Sequence, residues 1–131
     1  MVDSHRFTFS KRQRMVSRKL IDTLFGGGSS HAVTAFPLRA VYIIKERARD
    51  EAPVQLLISV PKKHLHHAVD RNRVKRQLRE AYRRQQSLLS EAVPADGQLL
   101  LAFVWLVDRQ LPSDAVSQRV RRLLQLISEK I

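Results

Sequence analysis

The chain has 131 residues, 44% of them hydrophobic, and contains no cysteine. This length is typical of one domain, and the apolar content is too high for a disordered tail. The lack of cysteine excludes a disulfide scaffold, a zinc finger and a thiol nucleophile. We therefore expect a single domain over residues 1–131, with a basic, flexible N-terminal segment at 1–16.

The charge balance is strongly basic. Twenty-four lysines and arginines face twelve acidic residues, for a formal net charge of +12, and seventeen of the cations are arginines. Arginine presents a planar fork of donors that matches phosphate, so this excess indicates a nucleic-acid partner. The longest apolar run, Leu99–Val107, is about half the length that a membrane-spanning helix needs. Because no signal peptide precedes it either, we expect a cytoplasmic protein without a membrane partner.

The first half of the chain predicts one helix and two strands. Apolar residues at helical spacing indicate a short helix that ends near Phe25, because three consecutive glycines follow. We expect a loop over Gly26–Val33. Residues that favour β-structure then predict strands at Phe36–Ile44 and Val54–Val60, which we interpret as a hairpin joined by a charged turn.

The second half predicts two longer helices with a strand between them. The first helix runs from Ala68 to about Ser87, and the continuous apolar run Gln98–Val107 is typical of a buried strand. Ser113 is the expected N-cap of the last helix, whose apolar residues recur at helical spacing. The resulting order, α-β-β-α-β-α, predicts an α+β sandwich in which three helices pack on a small sheet.

The helix that begins at Ala68 carries most of the functional signal. The segment 62–84 holds nine basic residues against two acidic ones. On a helical wheel, the apolar side is formed by Val74, Leu78 and Ala81, with Tyr82 at its border. The opposite side is a band about 100° wide, here named the basic stripe, which consists of Asn72, Lys75, Arg76, Arg79 and Arg83.

Such a stripe is unfavourable for an isolated helix. Like charges three or four residues apart repel by about 0.2–0.5 kcal/mol per pair, and the cations of Arg71 and Arg73 near the helix start oppose the helix dipole. Most charge runs on helices are simply solvated polar faces. The missing counter-charges favour a different interpretation, in which the phosphates of a nucleic acid neutralise the stripe.

The run from Arg71 to Glu80, RNRVKRQLRE, resembles the signature sequence of the protein subunit of bacterial ribonuclease P. The residues before it, Ser59–Lys63 and Ala68–Val69, are similar to the family's approach to that signature. Leu24-Phe25 before the glycines, like Arg14-Met15, resembles the family's first helix. The likeness extends over nearly the whole chain.

This resemblance implies a fold and a function. The fold is an α-β sandwich, as in the second domain of ribosomal protein S5, with the signature helix in a left-handed βαβ crossover. The function is to assist a catalytic RNA in removing the 5′ leader from precursor tRNA. The RNA performs the endonucleolytic cleavage with Mg²⁺ held by RNA and substrate, so the protein has neither catalytic residues nor a cofactor of its own. The RNA-binding residues that the resemblance implies are Arg71, Asn72, Arg73, Lys75, Arg76 and Arg79. The basic stripe adds Arg83, and we expect Lys62 and Lys63 to bind RNA as well.

The resemblance also implies a cleft for the single-stranded leader between the first helix and the sheet. Phe25 matches an aromatic residue of that cleft. Ile21 stands where many relatives have a second aromatic side chain, and Arg39 aligns with a cleft tyrosine of some relatives. Losing stacking faces weakens base stacking, by about 1–3 kcal/mol per base. Leu65 replaces a common glycine in the loop before the signature.

Two alternatives stay open. The first is a general RNA-binding or ribosomal-type protein without a precursor-tRNA role. The second is a metal-free nuclease that uses His64, His66 and His67, which lack the spacing and the further partner of a zinc site. The twelve acidic residues suggest no two-metal site, and no phosphate-binding loop is present. DNA recognition is not expected, because no helix-turn-helix pair precedes the basic helix.

Overall fold

The computed structural model describes residues 13–14, 18–26 and 28–131. Most of the basic segment predicted at 1–16 therefore lies outside the described residues, as does Met15. The elements are α1 (Arg18–Gly26), β1 (His31–Ala35), β2 (Leu38–Glu46), β3 (Val54–Ser59), α2 (Ala68–Gln85), α3 (Ser87–Ser90), β4 (Gly97–Trp105) and α4 (Ser113–Lys130).

The four strands form one mixed sheet in the order β1-β2-β4-β3. β4 is antiparallel to β2 and parallel to β3. Its apolar residues are buried along nearly the whole strand, as a central strand covered on both faces requires. Because α2 and α3 lie between the parallel strands β3 and β4, the basic helix occupies a βαβ connection. The α+β class is confirmed, and the left hand of that connection stays a prediction.

The predicted hairpin is wrong. β2 and β3 are not neighbours, because β4 lies between them and pairs with both. The actual hairpin joins β1, whose first three residues lie in the segment predicted as a loop, to β2 through a turn at Phe36-Pro37, the predicted start of a strand. The sequence pattern predicts strands at Phe36–Ile44 and Val54–Val60, within two residues of the observed Leu38–Glu46 and Val54–Ser59, but it does not identify the partner of each strand. The prediction pairs the two strands that are neighbours in the sequence, whereas in the structure the more apolar strand β4 lies between them in the sheet.

Three helix details also differ from expectation. The helix predicted to reach Ser87 ends at Gln85, and a separate short helix α3 follows, so the described residues form four helices rather than three. The N-cap of α4 is Pro112 and not Ser113, whose hydroxyl instead accepts a hydrogen bond of 3.0 Å from the Gln77 side chain. Tyr82 is fully buried rather than marginal.

The main core lies between the sheet and the helices α2 and α4. The predicted inner face of α4 is confirmed, since its five apolar positions are fully buried: Val116, Val120, Leu123, Leu124 and Ile127. Phe103 and Trp105 of β4 are buried in the same core, which confirms that they pack rather than stack on bases.

The opposite face of the sheet carries a smaller core. Leu24 of α1 is fully buried there against Val41, Leu100 and Ala102. α1 ends at Gly26, and Gly28 beyond it has a φ of 72°, the left-handed conformation that glycine favours after a helix. Among the described residues, every helix falls short of the length or the apolar character that a membrane span requires.

Candidate nucleic-acid interface

The apolar side of α2 fixes the direction of the basic stripe. Val74, Leu78, Ala81 and Tyr82 are all buried against the sheet and α4. Since side chains on an α-helix recur every 3.6 residues, this packing turns the opposite side of α2 to solvent. Asn72, Arg76 and Arg79 are exposed, and Lys75 is half-buried.

Counter-charges are missing from most of the stripe. Within the described part of the chain, no carboxylate forms an ion pair with Lys75, Arg76 or Arg79. These three cations therefore face solvent without internal neutralisation. The binding free energy of a polyanion is most favourable on such a surface, because its phosphates would replace water rather than break existing ion pairs.

The end of the stripe is different, because Glu80 pairs with two arginines. Its carboxylate accepts hydrogen bonds of 2.9 Å from Nε of Arg83 and 2.8 Å from Nε of Arg84. The hydrogen bonds from Arg83 and then Arg84 lower the pKa of Glu80 from 4.5 to about 2. Arg83 therefore presents less net positive charge to an RNA than the predicted stripe assumed.

Arg71 braces the loop before α2. Its Nη1 donates hydrogen bonds of 2.9 Å to the carbonyl oxygen of Leu65 and 2.8 Å to that of His66. The side chain is half-buried. The geometry thus gives Arg71 a structural contact in addition to the RNA contact that the resemblance implies.

Arg73 is held by a relay of side chains from another loop. Its Nη1 donates to Oε1 of Gln110 at 2.7 Å, and Nε2 of Gln110 donates to Oδ1 of Asp70 at 3.1 Å. Gln110 lies between β4 and α4, so it joins that connection to the first turns of α2. This contact orients the Arg73 guanidinium while keeping its charge.

The three histidines lie in the loop before α2. His64 is half-buried, and its Nδ1 lies 2.7 Å from Oδ1 of Asp108, while His66 and His67 are exposed. The described residues contain no group of three or more histidines or carboxylates placed to hold a metal ion. The contact between His64 and Asp108 therefore joins the loop before α2 to the β4–α4 connection, from which Gln110 reaches the first turns of α2.

Lys62 and Lys63 extend the basic surface towards the sheet. Both are exposed and follow the end of β3. Ser59 at that end pairs with Val104 of β4, which in turn pairs with Arg39 of β2. Since neighbouring strands lie about 4.8 Å apart, Arg39 is roughly 10 Å across the sheet from the end of β3. Arg39 and the two lysines thus share one end of the sheet.

The predicted leader cleft corresponds to the sheet face beneath α1. Ile21 packs partly buried against the small core there, and Phe25 at the end of the helix is 49% exposed. Arg39 is exposed and lies two residues before Val41 of the small core. Because residues two apart on a strand point to the same face, Arg39 lies on this face as well. The three predicted cleft residues therefore belong to one face, with a hydrophobic ring and a cation accessible to solvent.

The sequence did not indicate the residues that hold functional side chains or loops in position. Gln110 gave no signal, because its partners Asp70 and Arg73 lie about 40 residues earlier in the chain. Gln77 likewise donates a hydrogen bond of 3.0 Å to the carbonyl oxygen of Leu111. Only the tertiary fold brings these pairs together, so composition and helical spacing could not predict them.

The N-terminal segment also reaches this part of the molecule. Arg14 forms a parallel bridge with Leu56 of β3, the edge strand. Nε2 of Gln13 donates a hydrogen bond of 2.5 Å to Oε1 of Gln86, just after α2. These contacts place the described part of the basic segment beside β3 and the end of the basic helix.

Comparisons with known proteins agree with this architecture. A family model described as Ribonuclease P matches residues 9–128. The ribonuclease P protein component of Porphyromonas gingivalis is 42% identical over 93 residues, which cover 71% of this chain and 66% of that protein. The protein component of Chlorobaculum tepidum is 45% identical over 58 residues, 40% of this chain and 38% of the relative.

Solved structures show the same fold. The RNase P protein of Staphylococcus aureus matches with a TM-score of 0.67 at 16% identity, over 88% of this chain and 94% of that one. The RNase P protein from Thermotoga maritima matches with a TM-score of 0.60 at 18% identity, over 86% and 96% of the two chains. With the family match extending over nearly the whole sequence, the chain belongs to the ribonuclease P family, as a relative of the protein component of the bacterial enzyme.

Proposed function

We propose that the chain is the protein subunit of a bacterial ribonuclease P, an endoribonuclease, and that it binds the catalytic RNA through the basic stripe. The observation that carries this proposal is the exposure of Arg76 and Arg79, beside half-buried Lys75, without carboxylate partners in the described part of the chain. Their guanidinium groups offer bidentate contacts to phosphate. Asn72 adds neutral donor and acceptor groups on the same side of the helix.

The single-stranded 5′ leader of precursor tRNA would lie on the sheet face beneath α1. The exposed ring of Phe25 offers a stacking platform, and Arg39 offers a cation for the leader's phosphates. Ile21 supplies an apolar floor rather than a second stacking ring. Lys62 and Lys63, at the same end of the sheet, would guide the backbone between this face and α2.

The proposed role of the protein is positional. The catalytic RNA performs the phosphodiester hydrolysis, and Mg²⁺ is held by that RNA and the substrate. The protein raises the local concentration of the leader and orients it, by contacts that are independent of the reacting phosphate. We place this reaction in the cytoplasm, and a cofactor bound to the protein itself has no part in it.

Precursor-tRNA cleavage at limiting Mg²⁺ tests the proposal. The chain alone, a ribonuclease P RNA alone and both together are incubated with a precursor tRNA carrying a 5′ leader. Cleavage by the pair at the mature 5′ end, faster than by the RNA alone and absent with the chain alone, is the expected result. Cleavage by the chain alone would instead support a protein nuclease. Binding without any effect on cleavage would support the alternative of a general RNA-binding protein.

A further inference from the structure

The turn between β1 and β2 exposes an aromatic ring on a rigid base. Phe36 is 60% exposed, the more accessible of the two phenylalanines that lie on the surface of the described residues. Its carbonyl oxygen accepts a hydrogen bond of 2.9 Å from Nε of Arg119, and the neighbouring Pro37 carbonyl accepts one of 3.0 Å from the amide of Leu106. The turn is therefore held from α4 and from the end of β4.

Two arginines of α4, Arg119 and Arg122, lie on the side of that helix that contacts the turn. Arg122 is exposed and lies one turn after Arg119, on the same side of the helix because residues three apart are neighbours there. The acidic residues of α4 stand near its two ends, at Asp114 and Glu129. In the part of the chain that the structure describes, neither arginine forms an ion pair with a carboxylate. The hydrogen bond from Nε of Arg119 leaves its two terminal nitrogens available to a ligand.

This surface is separate from the basic stripe. The sheet order places β1 and its turn at one edge and β3 at the other. α2 follows β3, and Arg14 lies along the outer side of β3. The Phe36 turn is therefore at the opposite edge of the sheet from α2 and its basic stripe, while Arg39 of the predicted leader cleft follows three residues later, on the sheet face that α1 covers.

We propose that Phe36, Arg119 and Arg122 form a second RNA-binding surface, which takes a single-stranded segment. A base would stack on the Phe36 ring, and the two guanidinium groups would hold the phosphates on either side of it. An aromatic face beside cations is the arrangement by which proteins bind single strands, because every base has a π-face and every nucleotide a phosphate. The inference rests on the proposed function, since it extends the RNA contacts of the same subunit to the opposite edge of the sheet.

Stacking can be tested at Phe36. Phe36→Leu keeps an apolar side chain but removes the ring, whereas Phe36→Trp keeps a ring. We expect Phe36→Leu to weaken binding of a ribonuclease P RNA transcript about five-fold or more and Phe36→Trp to retain wild-type affinity. A base stacked on the new indole should also quench its fluorescence when RNA binds. The change can be assigned to that indole, because the chain's own Trp105 is only 1% exposed and stays shielded. Equal affinity of the Phe36→Leu variant and the wild type would overturn the stacking role.

The arginines are tested by salt dependence against a matched control. Arg119→Ala/Arg122→Ala should reduce the magnitude of the log–log salt slope by about 1.4, from two lost single-strand phosphate contacts. The control, Arg49→Ala/Arg121→Ala, removes the same charge from two exposed arginines, one between β2 and β3 and one about 160° around α4 from Arg119. An equal loss in both doubles would mean that net charge alone matters, and no loss in either would mean that RNA does not bind here. Thermal melts verify that each variant folds.

Failure of this inference is distinguishable from failure of the proposed function. If the chain accelerates precursor-tRNA cleavage but the Phe36 and Arg119/Arg122 variants bind RNA normally, only the second surface is wrong. If the chain does not affect cleavage, the same variants can still be measured with an unstructured single-stranded oligonucleotide. Weaker binding of those variants to the oligonucleotide would support the second surface without the ribonuclease P role.

Discussion

Arg71 and Arg76 lie on the same helix with the same charge, yet their surroundings assign them different roles. Arg71 donates to two loop carbonyls, whereas Arg76 is exposed and pairs with no carboxylate of the described residues. We expect Arg76→Ala to weaken RNA binding and leave the melting temperature unchanged within about a degree. Arg71→Ala should weaken binding and also lower the melting temperature by several degrees, because charge-assisted hydrogen bonds stabilise by about 1.5–3 kcal/mol.

The measurement is RNA affinity beside a thermal melt for each variant. Arg71→Lys serves as a control for charge, since lysine keeps the cation but not the paired donors of the guanidinium. Loss of folding in Arg76→Ala would show that Arg76 is structural. An unchanged melting temperature in Arg71→Ala would show that the loop before α2 does not depend on that side chain.

Glu80 gives the basic helix a pH-sensitive end. Its pKa is lowered to about 2 by the hydrogen bonds from Arg83 and Arg84. A carboxyl whose pKa is lower in the folded state stabilises the fold above its unfolded pKa, near 4.5, and this stabilisation is lost as the pH falls towards 2. Since the carboxylate is exposed, screening keeps the contribution small.

Glu80→Gln tests this contribution and its effect on RNA. The variant should show a shallower loss of melting temperature between pH 4.5 and pH 2 than the wild type, since the neutral amide does not titrate. At neutral pH it should bind RNA more tightly, because a negative charge is removed beside the stripe. Asp114→Asn, which alters an exposed acid on α4, is the matched control. Weaker RNA binding by Glu80→Gln would mean that Glu80 orders Arg83 for the RNA rather than competing with it.

Apolar patterning predicted which segments are helical or extended better than it predicted which strands pair with each other. The inner face of α4 and the burial of β4 follow from apolar spacing, which is a local property. The error at β2 and β3 arose because the pairing of strands depends on loop paths and on which strand is most apolar. β1 was missed for a related reason, since a five-residue edge strand with exposed residues resembles a loop in composition.

The helix α1, which covers the predicted leader face, is attached to the sheet by few buried residues. Leu24 is the one α1 residue that is fully buried, in the small core below the sheet. Leu24→Ala should lower stability by about 2–5 kcal/mol if α1 stays docked and by less if α1 simply detaches. In either case α1 is held less firmly against the sheet, so Phe25 is less well positioned and the affinity for a precursor tRNA with a leader should fall towards that for mature tRNA.

Leu78→Ala in the main core is the comparison for that experiment. It removes a fully buried leucine between α2 and the sheet, so it should lower stability by a similar amount. Under conditions where both variants remain folded, Leu78→Ala should keep the preference for leader-bearing substrate. If Leu24→Ala kept the preference as well, the leader would not lie beneath α1.

The fold distributes positive charge over several surfaces rather than one. α2 carries the stripe, the end of the sheet carries Arg39 with the two lysines, and α4 carries the arginines beside Phe36. The net charge of +12 was evident from composition, and helical spacing predicted the stripe. The placement of the α4 arginines beside an exposed ring could not be predicted, because the β1–β2 turn approaches α4 only in the folded chain.

RNA affinity should therefore depend steeply on salt. Six phosphate contacts predict a slope of about −4 to −5 in a plot of log affinity against log salt, because each neutralised phosphate releases counterions. Arg76→Ala/Arg79→Ala removes two exposed cations of the stripe and should make that slope shallower by about 1.4–1.8. A nearly flat slope for the wild type would show that binding is not electrostatic. An unchanged slope in the double variant would show that the phosphates bind elsewhere than on α2. The wild-type slope therefore tests whether binding is electrostatic, and the change in slope tests whether α2 carries the phosphate contacts.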